Sequence, residues 1–311
     1  MRISYDTNIA KAFGVPFKAG PRVGIELEYE SADSGKLYNN NGFLTRWKTT
    51  DDPSLRAGGI EFISLPTKPE HIEMALEQVK KAMSITGAKA TKRCGVHVHL
   101  NVTDLTFREL WNVAVYYTLL EPFIFKEFAD GREDSHFCVP TWANTALQQS
   151  MYRDATVLHR GVQKIVGGSK LQPSLGEMAM GIGGHPVLSN KRHTVPLYLL
   201  GNAKYSAMNF TPLEQFGTVE FRQHGATVDM RKVQRWCEFL LRLRTAALAY
   251  TDAEAIMNQF DEDGFLTLCE TMEITQSPDV NPNDIEDAVD AASLIVGHQP
   301  TDHHDLNWEI K

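Results

Sequence analysis

Four short segments of this chain alternate between apolar and ionisable residues, and the alternation constrains its fold more than any other feature. Side chains two positions apart lie on the same face of a β-strand, so this pattern predicts strands. An ordinary half-exposed strand shows a mixture of Lys, Thr, Ser and Glu on its polar face, whereas here that face carries carboxylate, imidazole and guanidinium groups. The segments are residues 21–30, 60–65, 94–101 and 218–224.

The ionisable residues of these predicted strands suggest a metal site. Those singled out as candidates are Glu26, Glu28, Glu61, His97, His99, Glu220, Arg222 and His224. If the strands are neighbours, several carboxylates share a small volume, which requires cations or bound protons. Oxygen-rich coordination with an imidazole favours Mg²⁺ or Mn²⁺ over zinc. Because such ions commonly hold nucleotide phosphates, the pattern indicates phosphoryl transfer.

Each motif also has a purely structural explanation. A Glu-x-Glu strand can simply expose its polar face to water, and a His-x-His strand can hold histidines that bond to their neighbours. A Glu-x-Arg pair can be an ion pair within the sheet. The occurrence of all three motifs in one chain favours a shared site, because the structural explanations would otherwise have to hold independently.

The segments between the strands predict helices and one long insert. Capping-box patterns at 67–70 and 106–109 predict two helix starts, and a third helix is predicted over about 141–166. Residues 130–200 include a Gly-rich stretch with few core-forming residues. A loop of this length in a compact domain is usually either functional or disordered, and a lid or substrate region is predicted there.

Charge and cysteine content narrow the class of protein. The net charge is −8, but residues 252–311 carry 15 acidic residues and one basic residue, which leaves +6 on residues 1–251. The mildly basic main part suits an anionic ligand, yet no basic cluster indicates nucleic acid. The four cysteines form no Cys-x-x-Cys pair. No secretory pattern or membrane-length apolar run is present, so a cytoplasmic location is expected.

Ordered motifs give the chain a resemblance to a known family. Over residues 20–245 it resembles the amidoligase family, a branch of the glutamine-synthetase-like carboxylate–amine ligases. The motifs are GIELEYE at 24–30, DPSL at 52–55 with GIEFISLP at 59–66, CGVHVHLN at 94–101, and KYSAMNF at 204–210 with GTVEFRQHGAT at 217–227.

This resemblance implies both a fold and an activity. The fold is α+β, with a glutamine-synthetase-like antiparallel β-sheet or partial barrel flanked by helices. Residues 1–250 form the catalytic domain, including the 130–200 insert, and residues 251–311 form an acidic C-terminal extension. The activity is ATP-dependent amide-bond formation through an acyl phosphate, with two or more Mg²⁺ (or Mn²⁺) ions.

The resemblance also implies roles for individual residues. Metal ligands are Glu26, Glu28, Glu61, His97 and Glu220. Catalytic residues are Glu220, Arg222 and His99, of which His99 lies nearer the phosphates. Nucleotide or substrate contacts are His99, Lys204, Asn209 and Arg222. Arginine suits an oxyanion because its planar fork binds two oxygens and stays charged. The turn at Asp52, Pro53 and Ser54 departs from the family, which more often has Gly in place of Pro53.

The residues leave other functions open. A two-metal hydrolase could use the same His and carboxylate set without a nucleotide. A protein that binds a nucleotide, an anion or a partner without turnover is a third possibility. The expected partners of a ligase are a small-molecule or peptide carboxylate and an amine, with a nucleic acid only as a modified substrate. Neither the substrates nor the oligomeric state follows from the sequence.

Overall fold

One antiparallel sheet organises the computed structural model, which describes residues 2–38, 41–56, 58–132, 135–163, 165–166, 193–194, 205–274 and 280–297. The strands there are β1 (Arg2–Ile3), β2 (Val23–Tyr29), β3 (Trp47–Asp51), β4 (Ile60–Ser64), β5 (Val96–Asn101), β6 (Val162–Gln163), β7 (Ile165–Val166), β8 (His193–Thr194), β9 (Met208–Asn209) and β10 (Thr218–Phe221). Six of them form the main sheet in the order β3-β4-β2-β5-β10-β9. Two short pairs, β1 with β6 and β7 with β8, lie outside it.

Helices cover one face of this sheet. In the same described ranges they are α1 (Ile9–Phe13), α2 (Gly35–Tyr38), α3 (Ile72–Thr86), α4 (Phe107–Phe128), α5 (Thr145–Arg160), α6 (Leu213–Phe216), α7 (Met230–Ala247), α8 (Ala253–Thr271) and α9 (Pro282–Val296). Single 3₁₀ turns occur at Asn41–Phe43 and Pro69–His71. None of these described helices has the length and apolarity needed to cross a lipid bilayer.

The hydrophobic core lies between the sheet and the helices. Alternate residues of β2, including Val23, Ile25 and Leu27, are fully buried on the helix side. On β10, Phe221 meets the ring of Tyr117 on α4 with 4.9 Å between ring centroids. Helices α8 and α9 pack against α4, and their apolar residues belong to the same core. The division of the chain at residue 250 stays a prediction.

The α+β class is confirmed, and the sheet within the described ranges is open rather than closed. Strands β3 and β9 form its two edges and do not pair with each other. Strand β3 was not predicted. Four of its five residues are exposed, so it lacks the alternation that marks a half-buried strand.

One of the two predicted helix starts is confirmed, and the other is wrong. Thr106 and Glu109 form a reciprocal capping box at the start of α4. Thr67 caps no helix, because it pairs with Val23 across the sheet and its hydroxyl donates to the carbonyl of Leu65 at 2.7 Å. Helix α3 therefore begins later, after the turn at Pro69–His71.

The helix predicted over 141–166 is shorter than expected. It begins after Asn144, whose side chain accepts a hydrogen bond from the Leu147 amide, and it ends at Arg160. Strand residues follow it at Val162–Gln163. Most of the remaining insert lies outside the described residues, so the predicted lid is untested.

Candidate metal and ligand site

The strand register places the predicted ionisable residues on one face of the sheet. Glu26 lies opposite His97, Glu28 lies opposite Glu61, and Glu220 lies opposite His99. Directly opposed residues have Cβ atoms about 4.5–5.5 Å apart. The alternation in sequence therefore becomes a compact cluster on the face away from the helices. We call this face the functional face.

Three of these residues form a group suited to a divalent cation. One ligand atom each from Glu26, His99 and Glu220 lies within 4.8 Å of the others. His99 Nε2 lies 3.1 Å from Glu26 Oε1, and His97 Nδ1 lies 3.4 Å from Glu220 Oε1. This grouping differs from the predicted assignment, in which His97 was the ligand and His99 lay nearer the phosphates. The ligand role of each histidine stays a prediction.

Unsatisfied ring nitrogens support a cation at this group. Nε2 of His97 and Nε2 of His99 are buried and have no hydrogen-bond partner in the described structure, since the short approach of His99 to Glu26 lacks hydrogen-bond alignment. The other ring nitrogen of His99, Nδ1, lies 3.1 Å from Thr218 Oγ1. This contact orients the ring, as partners of metal-bound histidines commonly do. The residues present therefore fit a hard divalent ion.

The acid–base balance of this group follows from its contacts. Burial opposes ionisation of Glu26, but the contacts with His97 and His99 outweigh it and lower the pKa of the Glu26 carboxyl. Burial likewise acts to lower the pKa of His99, but the neighbouring Glu26 outweighs it and raises that pKa. Glu26 is therefore ionised at neutral pH and available as a ligand.

A second oxygen-rich group lies beside the first. Glu28 Oε2 accepts a hydrogen bond from the Gly95 amide at 2.8 Å, and Oε1 lies 3.9 Å from His97 Nε2. Burial, followed by the charges of Glu26, Glu28 and Asp52, raises the pKa of Glu61 to about 7. An excess of negative charge at one point is what a second cation would relieve. Asp52 was missed by the sequence analysis because a turn residue shows no strand face, although it stands in the DPSL motif.

The late strand brings cationic and amide groups to the cluster. Arg222 Nη1 contacts Glu220 Oε1, and Asn209 Nδ2 donates to Glu220 Oε2 at 2.6 Å. Arg222 Nε also donates to the carbonyl of Phe137 at 3.3 Å. Both residues were predicted for this site, and the structure brings both into it. Lys204, which was predicted with them, lies outside the described residues.

The strand pattern predicts that His224 shares a face with Arg222, and this prediction is wrong. Phe221 pairs with Val98, but Gly225 bridges to Gly95, so four steps along one strand match three along the other. This extra residue is a β-bulge, which reverses the facing of the side chains after it. His224 consequently turns to the helix side. Its ring lies 6.2 Å from that of Phe128 and 6.3 Å from that of Trp236.

A cavity of about 190 Å³ adjoins the cluster on the His99 side. Lys18, Arg22 and Phe216 lie along its wall, together with Glu26 and His99. Arg22 Nε is buried and lacks a hydrogen-bond partner in the described part of the chain. Phe216 is 50% exposed and meets the His99 ring edge-on at 6.3 Å. Lys18 and Phe216 were also missed, because they lie outside the alternating strand segments. Arg22 lies inside the segment 21–30, on the same face as Glu26, but was not singled out.

Together these features define an α+β protein whose open antiparallel sheet carries a carboxylate–imidazole cluster between an arginine and a partly basic cavity. Residues 27–161 match a family model described as "Putative amidoligase enzyme". The resemblance found in the motifs is thereby confirmed over residues 27–161, and this description suggests an amide-bond-forming ligase. No curated protein matches the chain.

The matched range covers only part of the candidate site. Glu28, Glu61, His97 and His99 fall inside it. Glu26 precedes it by one residue, and Asn209, Glu220 and Arg222 lie beyond it. Glu26 and Glu220 contact the matched residues His97 and His99, and Asn209 and Arg222 contact Glu220.

Proposed function

We propose that the protein is an ATP-dependent carboxylate–amine ligase that forms an amide bond through an acyl phosphate. The carrying observation is the convergence of Glu26, Glu28, His97, His99 and Glu220 on one sheet face, with Arg222 in contact with Glu220. Such a set holds hard cations and an oxyanion in one place, which phosphoryl transfer requires. A glutamine-synthetase-like fold and a cytoplasmic location belong to the same proposal.

The order of groups along β5 suggests where each substrate binds. The cavity with Lys18 and Arg22 lies beside His99, and Arg222 approaches the cluster from β10. We therefore assign the nucleotide to the cavity side, where cationic side chains suit phosphates and Phe216 suits a base. The substrate carboxylate is assigned to the side of Arg222.

The chain itself supplies ligands for two ions. Glu26, His99 and Glu220 would hold one, and Glu28, Glu61 and His97 would hold the other. Bound divalent ions neutralise phosphate charge and fix the transferring group in line with its acceptor. Thr218 keeps the His99 ring in position, and Asn209 does the same for Glu220.

The proposed reaction has two steps. A carboxylate oxygen of the acid, held by Arg222, attacks the γ-phosphorus of ATP, and the bond to the ADP oxygen breaks. The amine nitrogen then attacks the carbonyl carbon of the acyl phosphate, phosphate leaves, and the amine loses a proton to a base. Arg222 stabilises the oxyanion charge in both steps, because its guanidinium remains charged and can donate two parallel hydrogen bonds.

The test is release of ADP and phosphate in the presence of Mg²⁺ and pooled carboxylates, amino acids and polyamines, with product mass spectrometry. A product equal to the summed masses of an acid and an amine minus water would name both substrates. Glu220→Ala and Arg222→Ala should each abolish ADP release in protein that remains folded. Arg235→Met, which removes an exposed charge on α7, serves as the control. If ADP release survives in both site variants, the site is wrongly assigned.

A two-metal hydrolase is the alternative function. It would use the same histidines and carboxylates to activate water and would need no nucleotide. The cavity with Lys18 and Arg22 favours ligation, because hydrolysis gives these groups no phosphate to bind. Metal-dependent cleavage of an ester or amide without ATP would favour the hydrolase, and ATP binding without turnover in any substrate pool would favour a non-catalytic role.

A further inference from the structure

A second guanidinium, that of Arg132, lies on the functional face and has no role in the site described so far. A Cβ atom placed on Gly95 would lie 1.9 Å from Arg132 Nη1 and 2.9 Å from His97 Nε2. Gly95 precedes His97 by two residues in an extended segment, so that Cβ would point to the functional face. The guanidinium therefore fills the space above Gly95 and borders the imidazole of His97.

Two glycines leave the space that the Arg132 side chain occupies. Gly95 and Gly225 bridge each other at the end of the sheet, and a Cβ on Gly225 would lie 2.9 Å from the carbonyl of Ala129. Beyond α4 the chain turns through Asp130 (φ 51°) and Gly131 (φ 87°) and leads directly to Arg132. The two positions without side chains let the end of α4 approach closely enough for Arg132 to reach the cluster.

The buried guanidinium of Arg132 makes few hydrogen bonds in the described structure. Only 7% of the residue is exposed. Its described hydrogen bonds go from Nη1 to the backbone carbonyls of Cys94 and His224 at 3.4 and 3.5 Å, and Nε has none. It makes no ion pair within 4.0 Å in the described ranges. Removing a guanidinium from water without an anionic partner is costly, so the position is unfavourable until something completes it.

The neighbouring charges indicate what completes it. Burial lowers the pKa of Arg132, Glu28 acts to raise it, and the positive charge of Arg222 acts to lower it further. The two arginines lie toward the same end of a site that also holds Glu28, since Arg132 Nη1 donates to the carbonyl of His224, two residues after Arg222. Like charges brought together in a buried place are typical of a site for an anion that bridges them.

We propose that Arg132 and Arg222 together bind the anionic oxygens of a ligand, with Arg132 at the end of the cluster furthest from the cavity. The ligand chemistry is that of a carboxylate or phosphoryl oxyanion. Naming it as the acid substrate, its acyl phosphate or the γ-phosphate of ATP rests on the proposed function. The oxyanion site itself does not.

Calorimetric binding of inorganic phosphate in the presence of Mn²⁺ tests the proposal. Arg132→Met should weaken phosphate binding by about tenfold or more, the usual loss for a hydrogen bond to a charged group. Arg132→Lys should recover only part of the affinity, because an ammonium cannot donate two parallel bonds. The control is Arg235→Met. The side chain of Arg235 pairs with Glu127 near the same helix end, but it is 64% exposed. This variant should bind phosphate with the affinity of wild type. Mn²⁺ affinity should be no weaker in any of them.

Thermal unfolding separates a binding role from a structural one. Because Arg132 is buried and has no ion-pair partner within 4.0 Å in the described part of the chain, the ligand-free Met variant should melt at the same temperature as wild type or higher. Phosphate affinity within twofold of wild type in Arg132→Met would overturn the proposal. So would a fall in melting temperature as large as that caused by truncating a core side chain, because Arg132 would then be a structural residue.

Binding experiments with nucleotides distinguish the two sources of the oxyanion, which are the γ-phosphate of ATP and the acid substrate or its acyl phosphate. If a non-hydrolysable ATP analogue with Mg²⁺ loses affinity in parallel with phosphate, Arg132 binds the γ-phosphoryl group. If only phosphate in the presence of ADP binds more weakly, Arg132 binds the acid or its acyl phosphate. A wild-type protein that binds no nucleotide would contradict the proposed ligase while leaving the phosphate result to decide the role of Arg132.

Discussion

The two faces of the central sheet differ in how closely their ionisable groups are gathered, although both keep some buried polar atoms without a hydrogen-bond partner in the described structure. On the helix side, the buried carboxyl of Glu121 accepts hydrogen bonds from Tyr117 Oη at 2.9 Å and from the Thr141 amide at 2.7 Å. On the functional face, His97 and His99 lie among the carboxylates of Glu26, Glu28 and Glu220, and each keeps a buried nitrogen without a hydrogen-bond partner in the described structure. Because carboxylates gathered without a cation oppose folding, we expect the functional face to lower the stability of the fold until a ligand binds.

One strand, β10, contributes side chains to both faces. Along β10, Glu220 points to the cluster and Phe221 points to the core, and both are almost fully buried. Burying an aromatic ring is favourable, whereas burying a carboxylate beside other carboxylates is unfavourable unless cations are bound. Substitutions at neighbouring positions should therefore separate stability from activity.

The largest expected effect is on activity at Glu220. Glu220→Gln keeps the shape and can still accept from Asn209, but it removes a negative ligand, so ADP release should fall by about 10³-fold or more. The free energy of unfolding should change by less than about 1 kcal/mol. Steady-state kinetics and urea unfolding measure the two. If the variant loses enough stability to explain its loss of activity, the proposed difference between the two faces of the sheet is contradicted.

The opposite result is expected one residue later. Phe221→Ala removes a fully buried ring that packs against Tyr117, and it should lower the free energy of unfolding by about 3–5 kcal/mol. At a temperature where the variant is still folded, Mn²⁺ affinity should remain within a few-fold of wild type. Urea denaturation and Mn²⁺ titration provide the comparison, and loss of metal binding in folded protein would contradict it.

A smaller and pH-dependent effect is expected at Glu61. Its pKa is raised to about 7 in the folded protein by burial and by Glu26, Glu28 and Asp52, so its contribution to stability is present below about pH 4.5 and is lost as the pH rises through 7. In chelator at pH 8, Glu61→Gln should therefore be more stable than wild type by roughly 2 kcal/mol, after allowance for solvent screening.

That difference should vanish at pH 4 and reverse in Mg²⁺, because the ion stabilises only a site with its full set of carboxylates. Melting curves in chelator and in Mg²⁺ at both pH values measure it. A wild-type protein that is the more stable of the two in chelator at pH 8 would show that Glu61 is not under electrostatic strain.

The smallest effect is expected at the hydroxyl that orients His99. Thr218→Val keeps a β-branched side chain in β10 but removes the contact with His99 Nδ1, so Mn²⁺ affinity should fall by about tenfold. Thermal stability should hardly change. Unaltered Mn²⁺ affinity in this variant would indicate that His99 is held by its packing alone.

The sequence predicts the functional face better than it predicts the surroundings. Glu26, Glu28, His97, His99 and Glu220 are found together because a period of two leaves no choice of face within a regular strand. The prediction for His224 was wrong because one bulge residue reverses the direction of the side chains that follow it. A bulge has no clear signal in a single sequence.

The groups outside the strands were harder to predict for a related reason. Arg132 follows a helix, Lys18 precedes the alternating segment 21–30, and Asp52 lies in a turn, so no periodicity assigns these side chains a direction. Arg22 differs, because its spacing from Glu26 already places it on the functional face. The positions of the other three depend on contacts between elements distant in sequence. Gly95 and Gly225 are an example, since their lack of side chains matters only once the end of α4 lies against them.

The most direct test of the account is an anomalous difference map from crystals of the protein soaked in Mn²⁺. We expect a strong peak enclosed by Glu26, His99 and Glu220, a second one near Glu28 and Glu61, and loss of the first in Glu26→Gln. A map with no peak on this face, or with manganese bound only along the acidic residues beyond 251, would contradict it.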